Sequence, residues 1–192
     1  MNIATTSVYT MLLLKIVSLS IVIHLAGNAH ASQPMVPTEP PYIVLSENLD
    51  EPNRYGFCFD TLGRGKSDLM HAHTCKPTKD DEPRSYPGND TRFKYDASTG
   101  SILSFAFDGY CVQVLIAGEA AVFALLPCTE DPYQKFVYDE SDRTLRLDKD
   151  QGRCISVASV TVPAGPWVKR SMLLEDCDDV SASLKQWTIV TD

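Results

Sequence analysis

Two histidines and an aspartate are the side chains whose types and spacing most suggest chemistry. His71 and His73 are the only histidines after residue 31, and the alternation of a β-strand would put both rings on one face. With the carboxylate of Asp60 they could ligate a transition metal. His71 and Asp60 could also form an acid–base dyad. The sequence does not establish a third metal ligand, and two nearby histidines are weak evidence of catalysis.

The chain lacks the short motifs that mark common hydrolases and structural zinc sites. It contains no Gly-x-Ser-x-Gly, no His-Glu-x-x-His and no Cys-x-x-Cys spacing. We therefore expect no catalysis, no cofactor and no metal, so that elemental analysis of the dialysed protein should find no stoichiometric zinc or calcium. A secreted hydrolase that uses His71 and Asp60 is the less favoured alternative.

The elements that position these side chains are predicted by an internal repeat. Residues 93–111 return as residues 136–154 without a gap, and both copies place a β-type run between a polar turn and a Gly-x-Cys unit. The matched pairs are Phe93 and Phe136, Tyr95 and Tyr138, Asp96 and Asp139, Ser98 and Ser141, Gly109 and Gly152, and Cys111 and Cys154. A third Gly-x-Cys unit begins at Gly56. Three such units predict a threefold internal repeat.

The cysteines support the same division of the chain. All six follow residue 31, and an even number in an exported chain is typical of disulfide bonds. Six cysteines allow many pairings, but each Gly-x-Cys cysteine opens its own repeat and is followed by one further cysteine. We expect one bond in each repeat. The expected bonds are Cys58–Cys75, Cys111–Cys128 and Cys154–Cys177.

Short strands separated by turns, without an amphipathic helix of three turns, predict an all-β sandwich or barrel. The third repeat lacks its last strand, and the run YIVLS at residues 42–46 has no partner of its own. Pairing of this run with residues 187–190 would close a threefold barrel and remove exposed strand edges. The predicted core aromatics are Phe93, Phe136 and Trp187. We interpret Trp167, in a Pro-Gly insert of the third repeat, as a buried lid over the barrel end rather than an exposed stacking residue.

The first 31 residues are predicted to be a signal peptide. An apolar run over residues 11–25 contains Lys15 near its start and precedes Ala29-His30-Ala31, a small-x-small cleavage signal. Cleavage after Ala31 predicts a secreted or periplasmic protein. A membrane anchor is the alternative, but the run is short for a span. Residues 32–41 hold four prolines and are predicted to be a stiff linker, which leaves residues 42–192 as one domain.

The charge of the mature chain limits its partners. After residue 31 there are 16 Lys and Arg against 25 Asp and Glu, a net charge of −9. Nucleic acids, heparin-like polymers and anionic membranes all require basic patches. We therefore expect no nucleic-acid partner and no membrane insertion, and a ligand that is neutral.

The arrangement of cysteines and aromatics resembles the ricin-B-type β-trefoil, the R-type lectin domain. That family is marked by a cysteine pair followed by Gln-x-Trp in each repeat. The corresponding triplets here are Thr91-Arg92-Phe93, Gln134-Lys135-Phe136 and Lys185-Gln186-Trp187. Only the second keeps the glutamine and only the third keeps the tryptophan. The resemblance covers nearly all of residues 42–192 and implies an all-β β-trefoil with an internal pseudo-threefold repeat and one disulfide per repeat.

The resemblance also implies a binding site in the first repeat. A sugar-binding repeat of this family has an aspartate two residues after its first cysteine, an aromatic ring two residues before its second, and Asn or Asp before the Gln-x-Trp position. A fixed carboxylate accepts hydrogen bonds from sugar hydroxyls, and a flat ring packs on the apolar face of the sugar. The second repeat lacks the carboxylate and the third lacks the ring. The implied carbohydrate-binding residues are Asp60, His71, His73, Asn89 and Asp90.

The function implied by the resemblance is that of a secreted, non-catalytic lectin-like protein. Its partner would be a glycan or glycoconjugate, bound mainly by the first repeat. The alternative is a β-trefoil that has lost sugar binding and binds a protein, because the fold alone does not determine the partner.

Overall fold

The computed structural model describes residues 32–63, 66, 69–78, 83–84, 88–117 and 120–191. The described residues belong to one compact unit of the chain. The predicted signal peptide and its cleavage site after Ala31 lie outside the described residues. Within the described ranges, no helix is long and apolar enough to cross a membrane.

The described part of the chain consists of short β-strands with one helix of four residues, α1 (Ala182–Lys185). The strands are β1 (Tyr42–Leu45), β2 (Phe57–Thr61), β3 (Met70–Thr74), β4 (Phe93–Asp96), β5 (Ser101–Ser104), β6 (Tyr110–Ala117), β7 (Ala120–Pro127), β8 (Phe136–Asp139), β9 (Thr144–Leu147), β10 (Asp150–Val157), β11 (Val162–Ala164), β12 (Trp167–Arg170), β13 (Met172–Asp176) and β14 (Trp187–Val190). Single 3₁₀ turns occupy Asn89–Thr91 and Pro132–Gln134. The all-β prediction is confirmed.

The strands repeat in groups of four. The first repeat comprises β1 to β4, the second β5 to β8, and the third β9, β10, β13 and β14, with β11 and β12 as an inserted hairpin. In each repeat the second and third strands form an antiparallel hairpin, namely β2 with β3, β6 with β7 and β10 with β13. The first and last strands pair between repeats, as β4 with β5, β8 with β9 and β14 with β1. The predicted threefold repeat is therefore present.

The last strand of the chain closes onto the first. β1 and β14 are antiparallel over their whole length, from Tyr42 opposite Val190 to Leu45 opposite Trp187. This pairing satisfies backbone groups that would otherwise form two exposed strand edges. The predicted pairing of YIVLS with residues 187–190 is confirmed. The first strand ends at Leu45, one residue earlier than predicted.

The cysteine pairing follows the repeat. The three bonds are Cys58–Cys75, Cys111–Cys128 and Cys154–Cys177, as expected. In every repeat the backbone N–H of the second cysteine also donates to the carbonyl oxygen of the glycine in the Gly-x-Cys unit. These N–O distances are 3.0 Å for Cys75 to Gly56, 2.9 Å for Cys128 to Gly109 and 2.8 Å for Cys177 to Gly152. Each hairpin is thus fixed at the same point by a covalent bond and a hydrogen bond.

The core lies where the repeats meet. Phe93, Phe136 and Trp187 are fully buried in it, as predicted. The hydroxyl of Tyr95 donates to the carbonyl oxygen of Phe136 at 3.1 Å, and that of Tyr138 donates to the carbonyl oxygen of Trp187 at 2.9 Å. The same contact therefore joins the first repeat to the second and the second to the third.

The proline-rich segment at residues 32–41 runs along the domain instead of extending away from it. The backbone N–H of Met35 donates to the carbonyl oxygen of Arg54 at 2.5 Å. The hydroxyl of Thr38 donates to the carbonyl oxygen of Lys76 at 2.8 Å. Val36 packs against the cluster around Cys58 and Cys75. The segment predicted to be a stiff linker therefore has specific partners on the first repeat.

Candidate functional site

The hairpin of β2 and β3 positions the three residues that the sequence singled out first. Asp60 on β2 lies directly opposite His71 on β3, and Cys58 lies opposite His73. Because strand side chains alternate between faces, both histidines lie on one face, as predicted. Their rings are 5.3 Å apart between centroids and tilted by 23°. The hairpin is anchored close to this face by the Cys58–Cys75 bond.

Lys76 joins the hairpin to the predicted Asn-Asp pair. Its Nζ lies 2.8 Å from Oδ2 of Asp60 and 2.8 Å from Oδ1 of Asp90. Asp60 is fully buried and Asp90 is 2% exposed, so the ammonium neutralises carboxylates that water barely reaches. Sequence reasoning missed Lys76, although two carboxylates predicted at one buried site require a cation.

The pKa values of Lys76 and Asp90 in this cluster are shifted from their usual ranges. Burial and then the nearby charge of Asp60 raise the pKa of Asp90 to about 7, although Lys76 opposes both effects. Burial by itself would lower the pKa of Lys76, but the charges of Asp60 and Asp90 outweigh it and raise that pKa. Lys76 is therefore charged at neutral pH, while Asp90 is near its midpoint.

The two histidines flank the Asp60 carboxylate. Oδ2 of Asp60 lies 3.5 Å from Nε2 of His71 and 3.7 Å from Nδ1 of His73. Nδ1 of His73 also lies 2.9 Å from the carbonyl oxygen of Thr74, to which it donates in the neutral ring. Burial lowers the pKa of His73 despite the opposing charge of Asp60. His73 is consequently neutral at pH 7.

The histidines, Lys76 and Asp90 open onto a cavity of about 630 Å³. The residues that line it are Leu62, Gly63, His71, His73, Lys76 and Asp90 from the first repeat, and Ala164, Gly165, Pro166, Trp167 and Lys169 from the third. The inserted hairpin of β11 and β12 reaches this position because β12 pairs with β3, with Lys169 opposite His73. The cavity is therefore built by two repeats that are far apart in sequence.

Trp167 forms part of the cavity wall. It begins β12, directly after the Gly165-Pro166 turn of the hairpin, where Gly165 has a φ of +63°. Its ring is half-buried and packs against Tyr55 at 6.1 Å between centroids. The interpretation of Trp167 as a buried lid over the barrel end is wrong, because pairing of the insert with β3 directs it to the first-repeat cavity.

Two of the predicted binding residues do not line the cavity. Asp60 lies beneath Lys76 and is fully buried, so its carboxylate acts on the cavity through the lysine and the histidines. Asn89 is also fully buried, and its amide donates to the carbonyl oxygen of Pro83 at 2.9 Å. Asn89, Asp90 and Thr91 form a glycosylation sequon, but an asparagine with no exposed surface is not accessible to modification in the folded chain.

Comparison with solved structures shows the same architecture in sugar-binding proteins. The C-terminal half of the earthworm R-type lectin, solved with GalNAc, matches with a TM-score of 0.53 and 13% identity over 80% of this chain and 100% of that one. The β-trefoil lectin of Vibrio vulnificus hemolysin/cytolysin, solved with N-acetyl-D-lactosamine, matches with a TM-score of 0.50 and 10% identity over 79% and 93%. This chain has the β-trefoil fold of the R-type lectins.

The matches to known proteins come from solved structures. No protein-family model and no curated protein sequence matches the chain. The Abrus precatorius agglutinin matches with a TM-score of 0.52 and 14% identity over 78% of this chain, which spans only 46% of the agglutinin chain. Against GalNAc-T7, a much longer chain, it spans 20%. At these identities the comparisons establish the fold and not the activity.

The other two repeats of the β-trefoil fill the equivalent positions with internal contacts. In the second repeat, the amide of Gln134 donates to Oε1 of Gln113 at 2.9 Å and to the carbonyl oxygen of Pro127 at 2.9 Å. In the third repeat, the hydroxyl of Ser156 donates to Oε2 of Glu175 at 2.5 Å. Their polar groups are thus already paired, in contrast with the ring nitrogens of His71 in the first repeat, which have no hydrogen-bond partner among the described residues.

Proposed function

We propose that this protein is a secreted, non-catalytic lectin-like protein that binds a neutral glycan in its first-repeat cavity. The observation that carries the proposal is the combination of the Trp167 ring with the polar groups of Lys76 and Asp90 on one concave surface. The volume of about 630 Å³ lies within the usual range for small-ligand sites.

The lining of the cavity suits the two faces of a sugar. Hydroxyl groups need fixed donors and acceptors, which Lys76, Asp90, His71 and His73 supply. The C–H face of a pyranose needs a flat apolar partner, which Trp167 supplies. The β-trefoil neighbours solved with GalNAc and with N-acetyl-D-lactosamine support a sugar as the ligand class.

The charge of the molecule supports a neutral rather than an acidic glycan. The mature chain carries a net charge of −9, and the ammonium of Lys76 is already matched by the carboxylates of Asp60 and Asp90. An acidic sugar would therefore approach a surface of the same sign.

Replacing Trp167 by alanine is expected to weaken glycan binding by about tenfold, because a ring stacked on a sugar contributes on the order of 1 kcal/mol. Binding would be measured by a glycan array followed by calorimetric titration of the best neutral glycan and its sialylated form. Tyr133→Ala is the matched control, since Tyr133 is a half-buried aromatic of the second repeat. Equal loss in both variants, or none in Trp167→Ala, would remove the assignment of the cavity.

The same titrations separate the alternatives. A wild-type protein that binds no glycan but forms a stoichiometric complex with a purified protein partner would favour the interaction module. Turnover of a glycoside or ester panel that disappears in His71→Ala would favour a hydrolase.

The mature protein is expected to begin at Ser32, because the small-x-small signal ends at Ala31. Expression of the full chain in a host with an export pathway, followed by N-terminal sequencing of the exported fraction, checks this. Ala31→Asp, which places a charge at the cleavage position, should leave the precursor uncleaved. An exported chain that retains residues 1–31 would instead favour a membrane anchor.

A further inference from the structure

We propose that Asp60, His71 and His73 form a binding site for a single zinc ion at the floor of the first-repeat cavity. The sequence favours no metal at these histidines because it does not establish a third ligand. The fold supplies that ligand by placing Asp60 directly opposite His71 on the neighbouring strand. The proposal concerns metal binding alone and does not depend on glycan binding.

The distances fit a small divalent ion after a modest closure. Oδ2 of Asp60 is 3.5 Å from Nε2 of His71, and one nitrogen from each ring lies with an Asp60 oxygen inside a mutual distance of 4.8 Å. In a tetrahedral zinc site with bonds of about 2.0–2.1 Å, ligand atoms are about 3.3–3.4 Å apart. The two strands hold the ligand atoms within about 1.5 Å of that spacing, a movement that side-chain rotation provides.

His71 is the residue whose environment most favours an ion. It is 6% exposed, and neither of its buried ring nitrogens has a hydrogen-bond partner among the residues that the structure describes. Buried polar atoms normally have partners, because leaving them unpaired reduces stability. An ion bound at Nε2 satisfies one of these two buried nitrogens.

His73 already has the outer contact that metal-bound histidines usually make. Its Nδ1–H donates to the carbonyl oxygen of Thr74 at 2.9 Å, which leaves the lone pair on Nε2. Because Nδ1 is the nitrogen that lies 3.7 Å from Oδ2 of Asp60, ligation through Nε2 requires a rotation of the ring. A ligating histidine typically donates its other ring N–H to a carbonyl or carboxylate, which fixes the tautomer. Two imidazoles and one carboxylate form a donor set that zinc prefers. Because both histidines line the cavity, the fourth coordination position of the zinc ion faces the cavity.

Lys76 is the competing cation at this site. Its ammonium lies 2.8 Å from Oδ2 of Asp60, the oxygen nearest to His71, and 2.8 Å from Asp90. An ion bound to Asp60 displaces the ammonium from that oxygen and leaves it paired with Asp90, which the flexible lysine stem permits. Removal of the lysine charge should therefore strengthen zinc binding, in contrast with removal of a ligand.

The experiment is a calorimetric titration of zinc chloride into tag-free mature protein that has been treated with a chelator and dialysed. Wild type should bind one ion per chain. His71→Gln and Asp60→Asn should bind at least about tenfold more weakly, Lys76→Met about tenfold more tightly, and Asp108→Asn, which removes a fully exposed carboxylate, should match wild type. Cobalt substitution should give the intense visible bands of a tetrahedral site in wild type but not in His71→Gln.

Each outcome decides the assignment. No binding by wild type, binding restricted to Lys76→Met, or unchanged binding in His71→Gln would overturn it. Circular dichroism confirms that each variant is folded, and if Asp60→Asn is not, His71→Gln and the cobalt spectrum decide.

Discussion

Replacing Trp187 by alanine is expected to destabilise the fold by about 3–5 kcal/mol, the usual range for removing a fully buried large aromatic. Trp187 has no exposed surface, and its ring meets Phe59 edge-to-face at 4.8 Å between centroids. Its Nε1–H donates to the carbonyl oxygen of Ile155 at 2.9 Å. It also lies on β14, the strand that closes the barrel against β1. Truncation therefore removes packing and a buried hydrogen bond at the closure.

The measurement is urea unfolding followed by circular dichroism with the disulfides intact. Trp187→Phe is the matched control, because Phe93 and Phe136 occupy the equivalent positions of the other repeats. It should lose only about 1–2 kcal/mol, from the smaller ring and the unpaired carbonyl of Ile155. A loss below about 1 kcal/mol in Trp187→Ala would contradict the role of this residue in the closure.

Replacing Lys76 by methionine is expected to destabilise the chelator-treated protein by about 3–5 kcal/mol at pH 8, because two buried carboxylates then face each other without a cation. The loss should be smaller at pH 5.5. The pKa of Asp90 is raised from 3.8 to about 7 in the folded chain, mainly by burial and then by Asp60. Lys76 lowers this pKa, so the variant has a higher one, and acidification from pH 8 to pH 5.5 favours its folding more than that of wild type.

This prediction is tested by urea unfolding of both proteins at the two pH values. The lowered pKa of His73 acts in the opposite sense, but Lys76 is one cause of that lowering, so its removal raises the pKa of His73 and adds to the smaller loss at pH 5.5. Lys94→Met, which removes an exposed lysine on β4, should have little effect at either pH. A loss for Lys76→Met that is equal at both values, or larger at pH 5.5, would contradict the carboxylate mechanism.

The repeat explains why so much of the architecture was predictable. The pairing of β1 with β14 followed from an unpartnered strand at each end of the chain. The three disulfides followed from one Gly-x-Cys unit in each repeat. Both predictions depend on local patterns that occur three times. A wrong assignment in one repeat would therefore disagree with the other two repeats.

The site was predicted only in part. His71, His73 and Asp60 belong to one hairpin, whose strand alternation is visible in the sequence, and the structure brings them together. Lys76 and Trp167 were missed or misassigned, because their places depend on how a loop and an inserted hairpin fold back on the first repeat. Asn89 was predicted to bind sugar and stays a prediction, although its amide is engaged with Pro83.

The sequence by itself determined the threefold β-architecture, the closure of the barrel and the cysteine pairing, because periodic local signals specify them. Only the tertiary structure decided what surrounds Asp60. Lys76 reaches Asp60 and Asp90 through space, and β12 from the third repeat joins β3 of the first to bring Trp167 to the cavity. Such contacts depend on the packing of segments distant in sequence, which no local pattern encodes.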